Sequence, residues 1–108
     1  MDINRLFNID GKTALITGGS RGIGEMIAAG FLANGVKVYI TARKEAPLIE
    51  KAKELSEKFS GECIAIPCDL SNMEGIQKLA SDYLNHEDSL DILVNNAGAA
   101  WGEPYENF

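Results

Sequence analysis

The eight residues Thr17-Gly18-Gly19-Ser20-Arg21-Gly22-Ile23-Gly24 constrain this chain more than any other stretch. They follow a short β-prone run, Thr13-Ala14-Leu15-Ile16, and they open a segment with helical periodicity. A glycine turn between a strand and a helix lets backbone N–H groups approach an anion closely. The positive end of the helix dipole then faces that anion. The spacing excludes one class of phosphate loop. A P-loop needs Gly-x4-Gly-Lys-Ser/Thr, whereas Gly19-x4-Gly24 runs into Glu25-Met26. Nor is it Gly-x-Gly-x-x-Gly, because Gly18, Gly22 and Gly24 are spaced as Gly-x3-Gly-x-Gly.

Residues 1–12 read as a lead-in closed by the turn signal Asp10-Gly11, and Thr13–Thr17 as a first strand. From Ile23 the apolar residues Ile23, Met26, Ile27, Gly30, Phe31 and Leu32 mark one helix face, stopped by Asn34-Gly35. Val36–Ala42 is a second strand. A helix over about Ala46–Phe59 tolerates Pro47 in its first turn, carries Leu48, Ile49, Ala52, Leu55 and Phe59 as its apolar stripe, and is closed by Gly61. Cys63–Ile66 is a third strand. Ser71-Asn72-Met73-Glu74 predicts a capping box with Ser71 as the cap, opening a helix whose stripe is Ile76, Leu79, Ala80, Tyr83 and Leu84. Leu90–Val94 is a fourth strand, running into Asn95-Asn96-Ala97-Gly98.

Strands alternating with helices of this length specify a parallel sheet with right-handed crossovers. Nucleotide-binding sheets of this kind are ordered 3-2-1-4, with the first two helices on one face and the third on the other. Ligands bind where the order reverses, beyond the carboxyl ends of strands 1 and 4. The glycine turn and Asn95–Gly98 follow those two strands, so two motifs distant in sequence are expected at one crevice.

Composition narrows the partners. The 108 residues suffice for one small domain. Ten basic against sixteen acidic residues give a formal charge of −6, which argues against nucleic acid and anionic membranes. No apolar run approaches the ~20 residues of a membrane span. The polar start Met1-Asp2-Ile3-Asn4-Arg5 predicts a cytoplasmic protein. Cys63 and Cys68, five apart on one β-prone run, should point to opposite faces as reduced thiols, and with a lone His86 no metal site is expected.

Taken together, Thr17–Gly24, Cys68-Asp69-Leu70 and Asn95-Asn96-Ala97-Gly98 resemble the short-chain dehydrogenase/reductase family along essentially the whole chain. The resemblance implies a Rossmann-type α/β fold, a truncated doubly wound sheet with three helices. Residues 1–108 then correspond to the NADP-binding half-domain, the N-terminal fragment of a longer enzyme. It implies a cofactor site built from Thr17, Gly18, Ser20, Arg21, Gly22, Ile23, Gly24, Arg43, Asp69, Leu70, Asn95, Ala97 and Gly98. Asp69 would accept from the adenine amino group and Leu70 would flank the ring. Asn95 would hold strand 4 to the glycine turn, while Ala97 and Gly98 leave room for the nicotinamide ribose. Ile23 lies where the family supports the nicotinamide and Thr17 where it supports the turn; Trp101-Gly102 lead toward the substrate pocket.

Cofactor type follows from charge. An NAD site carries an acidic residue at the end of strand 2, to hold the ribose 2′-hydroxyl. Here that place reads Thr41-Ala42-Arg43, and Arg43 with Arg21 suits a 2′-phosphate, hence NADP(H). The family's reaction, hydride transfer to or from a carbonyl or alcohol, needs Ser and Tyr-x3-Lys. No Tyr-x3-Lys occurs: Tyr39 is followed by Arg43, Tyr83 by Glu87, and Tyr105 by the end of the chain. The 108 residues alone are therefore expected to bind cofactor without turnover. The parent would be a homo-oligomeric reductase, nearest in pattern to those acting on 3-oxoacyl thioesters, with its catalytic residues elsewhere. The alternative is a short non-catalytic binding protein that pairs with a full-length homologue. Sugar-nucleotide epimerases or dehydratases fit less well, because their glycine spacing differs. A sheet ending at strand 4 should also expose apolar surface, leaving the fragment prone to self-association.

Overall fold

The structure is a computed structural model that describes residues 9–20 and 22–96. Among the described residues seven elements alternate: β1 (Thr13–Thr17), α1 (Gly22–Ala33), β2 (Lys37–Ala42), α2 (Glu45–Phe59), β3 (Cys63–Pro67), α3 (Met73–Leu84) and β4 (Ile92–Asn95). The strands form one parallel sheet in the order β3-β2-β1-β4. In register, Thr17 stands level with Thr41 on β2 and with Asn95 on β4, so three strand ends reach one edge together.

The pleat sorts side chains onto two faces. Ala14, Ile16, Val38, Ile40 and Cys63 point to one face, where Ala28 and Leu32 of α1 and Leu48, Ala52 and Leu55 of α2 cover them. Leu15, Tyr39, Ile66 and Cys68 point to the other, beneath Leu79 and Tyr83 of α3. The two cysteines are thus free and buried on opposite faces. Burial without a compensating charge pushes the Cys63 thiol up to about 12.

Three local expectations need correction. The buried line of α1 is Gly24-Ala28-Leu32; Ile23 and Met26, expected on the stripe, are exposed. The buried line of α3 is Gly75-Leu79-Tyr83, with Ile76, Ala80 and Leu84 turned outward. In both helices a glycine leads the line facing the sheet, and a hydrophobicity pattern gives glycine no weight. Third, the N-cap of α3 is Asn72, whose Oδ1 accepts from Gly75 N at 2.7 Å. Ser71 is engaged elsewhere: its N–H and hydroxyl both donate to Asp69 Oδ1, at 2.9 and 2.6 Å. α2 ends at Phe59, and Ser60, just before Gly61, takes the left-handed position (φ 51°).

At the edge opposite the three aligned ends, Glu87 accepts from the buried Tyr39 hydroxyl and pairs with Lys37 at 2.7 Å. Tyr83 donates to the Ser89 carbonyl and packs edge-on against Tyr39. Asp91 Oδ2 receives the Thr13 N–H at 2.9 Å. These bonds tie the α3–β4 connection to the starts of β1 and β2. Among the described residues β4 is an edge strand; Leu93 within it, Leu90 before it and Leu84 at the end of α3 are exposed.

Candidate functional site

The exits of β1 and β4 are stitched together by side chains. The buried Thr17 hydroxyl donates to Asn95 Oδ1 at 3.1 Å, with the Val94 carbonyl at 3.4 Å as alternative acceptor, and it accepts from Asn96 N at 2.8 Å. Asn96 Nδ2 then donates to the Gly18 carbonyl at 3.2 Å. Gly18 N reaches across to the Thr41 carbonyl at the end of β2, at 3.0 Å. The glycine turn is therefore anchored to both neighbouring strands.

Its backbone geometry explains the glycines that matter most. Gly18 and Gly22 have φ of +69° and +61°, in the left-handed region that side chains disfavour. A Cβ on Gly24 would lie 2.2 Å from the Gly18 carbonyl oxygen, so α1 can press against the turn only through a glycine. Among the described residues a Cβ at Gly22 would meet nothing within 4 Å, so none of them covers the start of α1 there. Unpaired N–H groups at an open helix start offer an anion both hydrogen bonds and a favourable dipole.

On the far side of β1, the exit of β2 leads to the exposed Arg43. Cys68 N donates to the Ala42 carbonyl at 3.0 Å, bringing the turn after β3 alongside. There Asp69 is partly exposed, and its carboxyl is held below its ordinary range by the two Ser71 hydrogen bonds, with Arg43 adding a positive charge nearby. Both bonds go to Oδ1, so Oδ2 carries no hydrogen bond among the described residues. Leu70 packs partly against the Leu15–Tyr39 cluster.

Of the residues singled out from sequence, Thr17, Gly18, Ser20, Gly22, Ile23, Gly24 and Asn95 gather at the β1–β4 exits, and Arg43, Asp69 and Leu70 at the β2–β3 exits. Arg21, Ala97, Gly98 and Trp101 lie outside the described residues. Asn95 does meet Thr17, but the bond to the glycine turn itself comes from Asn96, which sequence reasoning did not single out. The doublet Asn95-Asn96 was its only signal, and which asparagine faces the turn depends on where β4 ends. Among the described residues no group of three His, Cys, Asp or Glu side chains could hold a metal ion, and no helix is long and apolar enough to cross a membrane.

A family model described as short chain dehydrogenase matches residues 12–108. The rhamnolipids biosynthesis 3-oxoacyl-[acyl-carrier-protein] reductase of Pseudomonas aeruginosa is 47% identical over 102 residues, which cover 94% of this chain and 39% of that protein. Among solved structures, the RhlG/NADP active-site complex of Pseudomonas aeruginosa matches with a TM-score of 0.79 at 48% identity, over 83% of this chain and 36% of that one. L-Sorbose reductase from Gluconobacter frateurii, complexed with NADPH and L-sorbose, gives 0.83 at 37% identity, over 94% and 38%. The chain thus spans between 36% and 39% of the length of these relatives.

Proposed function

The chain belongs to the short-chain dehydrogenase family, and we propose that its 108 residues are the NADP(H)-binding portion of a longer oxidoreductase. The parent would move a hydride between NADP(H) and a carbonyl or alcohol, with a 3-oxoacyl thioester as candidate substrate. One observation carries the reading. The glycine-built start of α1, uncovered at Gly22 among the described residues, lies at the same sheet edge as Arg43, where an NAD site would carry a carboxylate.

The residues suit the group. N–H groups at the start of α1 would hold the pyrophosphate, and Arg43 with Arg21 the 2′-phosphate. Asp69 Oδ2 would accept from the adenine amino group, with Leu70 along the ring. Asn95, Ala97, Gly98 and Ile23 would border the nicotinamide side, and Thr17 and Ser20 would shape the turn. The nicotinamide supplies the hydride chemistry when bound. Substrate class is supported by the 47% identity to a 3-oxoacyl reductase, and cofactor type by the two relatives solved with NADP or NADPH.

The proposal includes a cytosolic, homo-oligomeric parent. Unpaired Cys63 and Cys68 support a reducing compartment, and the exposed Leu84, Leu90 and Leu93 support association.

Titration calorimetry with NADPH and NADH tests the reading. NADPH should bind about tenfold or more tightly than NADH, and Arg43→Ala should remove most of that preference. Tighter binding of NADH, or an unchanged preference in the double variant Arg21→Ala/Arg43→Ala, overturns the 2′-phosphate assignment.

A further inference from the structure

We infer that Gly75 is a positioning residue for the adenosine end of the site, setting the place of Asp69 through the backbone. The inference rests on the cofactor reading above. Of the three described helices that begin at this end of the sheet, α1 and α3 begin alike. The third residue of α1 is Gly24 and the third of α3 is Gly75, and both are buried. In each, a Cβ would collide with the carbonyl oxygen six residues earlier: Gly18 O at 2.2 Å and Asp69 O at 1.5 Å. Both obstacles are backbone, so neither can swing aside as a flexible side chain would. Gly24 lets α1 press against the turn proposed for the pyrophosphate. Gly75 lets α3 press against the turn that carries Asp69, and more closely.

The surrounding bonds hold the Asp69 carboxylate and the residues around it. Asn72 Oδ1 takes the Gly75 N–H and fixes the first turn of α3. Ser71 holds Asp69 Oδ1 through its N–H and its hydroxyl. Cys68 N is bonded to the Ala42 carbonyl, one residue before Arg43. Asp69 Oδ2, which carries no hydrogen bond among the described residues, is thereby presented at a fixed distance from the exit of β2. A side chain at Gly75 would force the Asp69 backbone away and carry the carboxylate with it. The site would lose its grip on adenine and keep its grip on the nicotinamide end.

The test uses the full chain and two half-ligands, 2′,5′-ADP and nicotinamide mononucleotide, followed by NMR titration. Gly75→Ala should weaken 2′,5′-ADP about tenfold or more and leave the nicotinamide mononucleotide response unchanged. Ser71→Ala should weaken 2′,5′-ADP about threefold, and Ser71→Thr, which keeps the hydroxyl, should bind as the parent does. Gly75→Ala or Ser71→Ala with parental far-UV circular dichroism that binds 2′,5′-ADP as tightly as the parent overturns the inference, as does a loss in Ser71→Thr equal to that in Ser71→Ala. So does equal loss of both half-ligands, which marks a merely structural role. If Gly75→Ala does not fold, the two Ser71 variants decide by the same criteria. A parent chain that binds NADPH but not 2′,5′-ADP overturns the positioning role alone; one that binds neither overturns the cofactor reading with it.

Discussion

Thr17 and Thr41 stand level on neighbouring strands, both buried, and their hydroxyls have opposite fates. Thr17 bonds to Asn95 and Asn96 across the β1–β4 exit. Among the described residues the Thr41 hydroxyl has no hydrogen-bond partner beyond a weak interaction with the Cys68 thiol. Removing one partner of a buried pair strands the other, while removing an unpaired hydroxyl strands nothing. Thr17→Val is therefore expected to cost about 1–3 kcal/mol, and Thr41→Val to be neutral or stabilising. Urea denaturation of the two variants checks this; equal midpoints would remove the case for Thr17 as the stitch. Identical residue types in adjacent strands cannot be told apart by sequence, because the difference lies in what β4 brings to Thr17.

At the level of elements, the strand–helix alternation was legible from periodicity and glycine turns, and the strands fall within two residues of their expected places. Helix rotation was less legible. Periodicity weighs side chains, whereas α1 and α3 are seated by the absence of one at Gly24 and Gly75. The cap of α3 shows the same limit at smaller scale. Ser71 and Asn72 are both good caps by type, and the choice fell to Asn72 once Asp69 engaged Ser71. Asn72→Ala should destabilise the fold by about 1 kcal/mol, and Ser71→Ala by much less. Chemical denaturation that ranks Ser71→Ala as the more damaging would return the capping role to the serine.

For the whole molecule, the two sheet edges divide the labour. One edge gathers the turns of the candidate site. The other carries the Lys37–Tyr39–Glu87 cluster, and this cluster makes stability depend on pH. Glu87 is held below its ordinary 4.5, chiefly by Lys37 and then by the Tyr39 hydroxyl. Its folded value is depressed, so its contribution is present above pH 4.5 and is lost as pH falls through the folded value. Lys37 is raised above 10.5 by Glu87, and burial pushes Tyr39 from 10.0 to about 12. Cys63 rises from 9.0 to about 12. These three contributions are present below the ordinary values and are lost as pH climbs toward the folded ones. Thermal melts should therefore show a plateau between about pH 5 and pH 9 that falls on both sides. Glu87→Gln should flatten the acid limb; an unchanged acid limb would place its origin elsewhere.

The division between sequence and tertiary structure can be stated from the glycine turn. Sequence alone determined the parallel α/β order, the 3-2-1-4 sheet, the exclusion of a P-loop and the family, because these depend on local spacing and residue type. Only the tertiary structure decided that Asn96 grips Gly18, that Asn72 caps α3 and that Gly75 lies beneath Asp69. Each of those contacts joins groups whose partner is fixed by how elements dock, and docking at a distance of one missing side chain leaves no periodic trace in the chain.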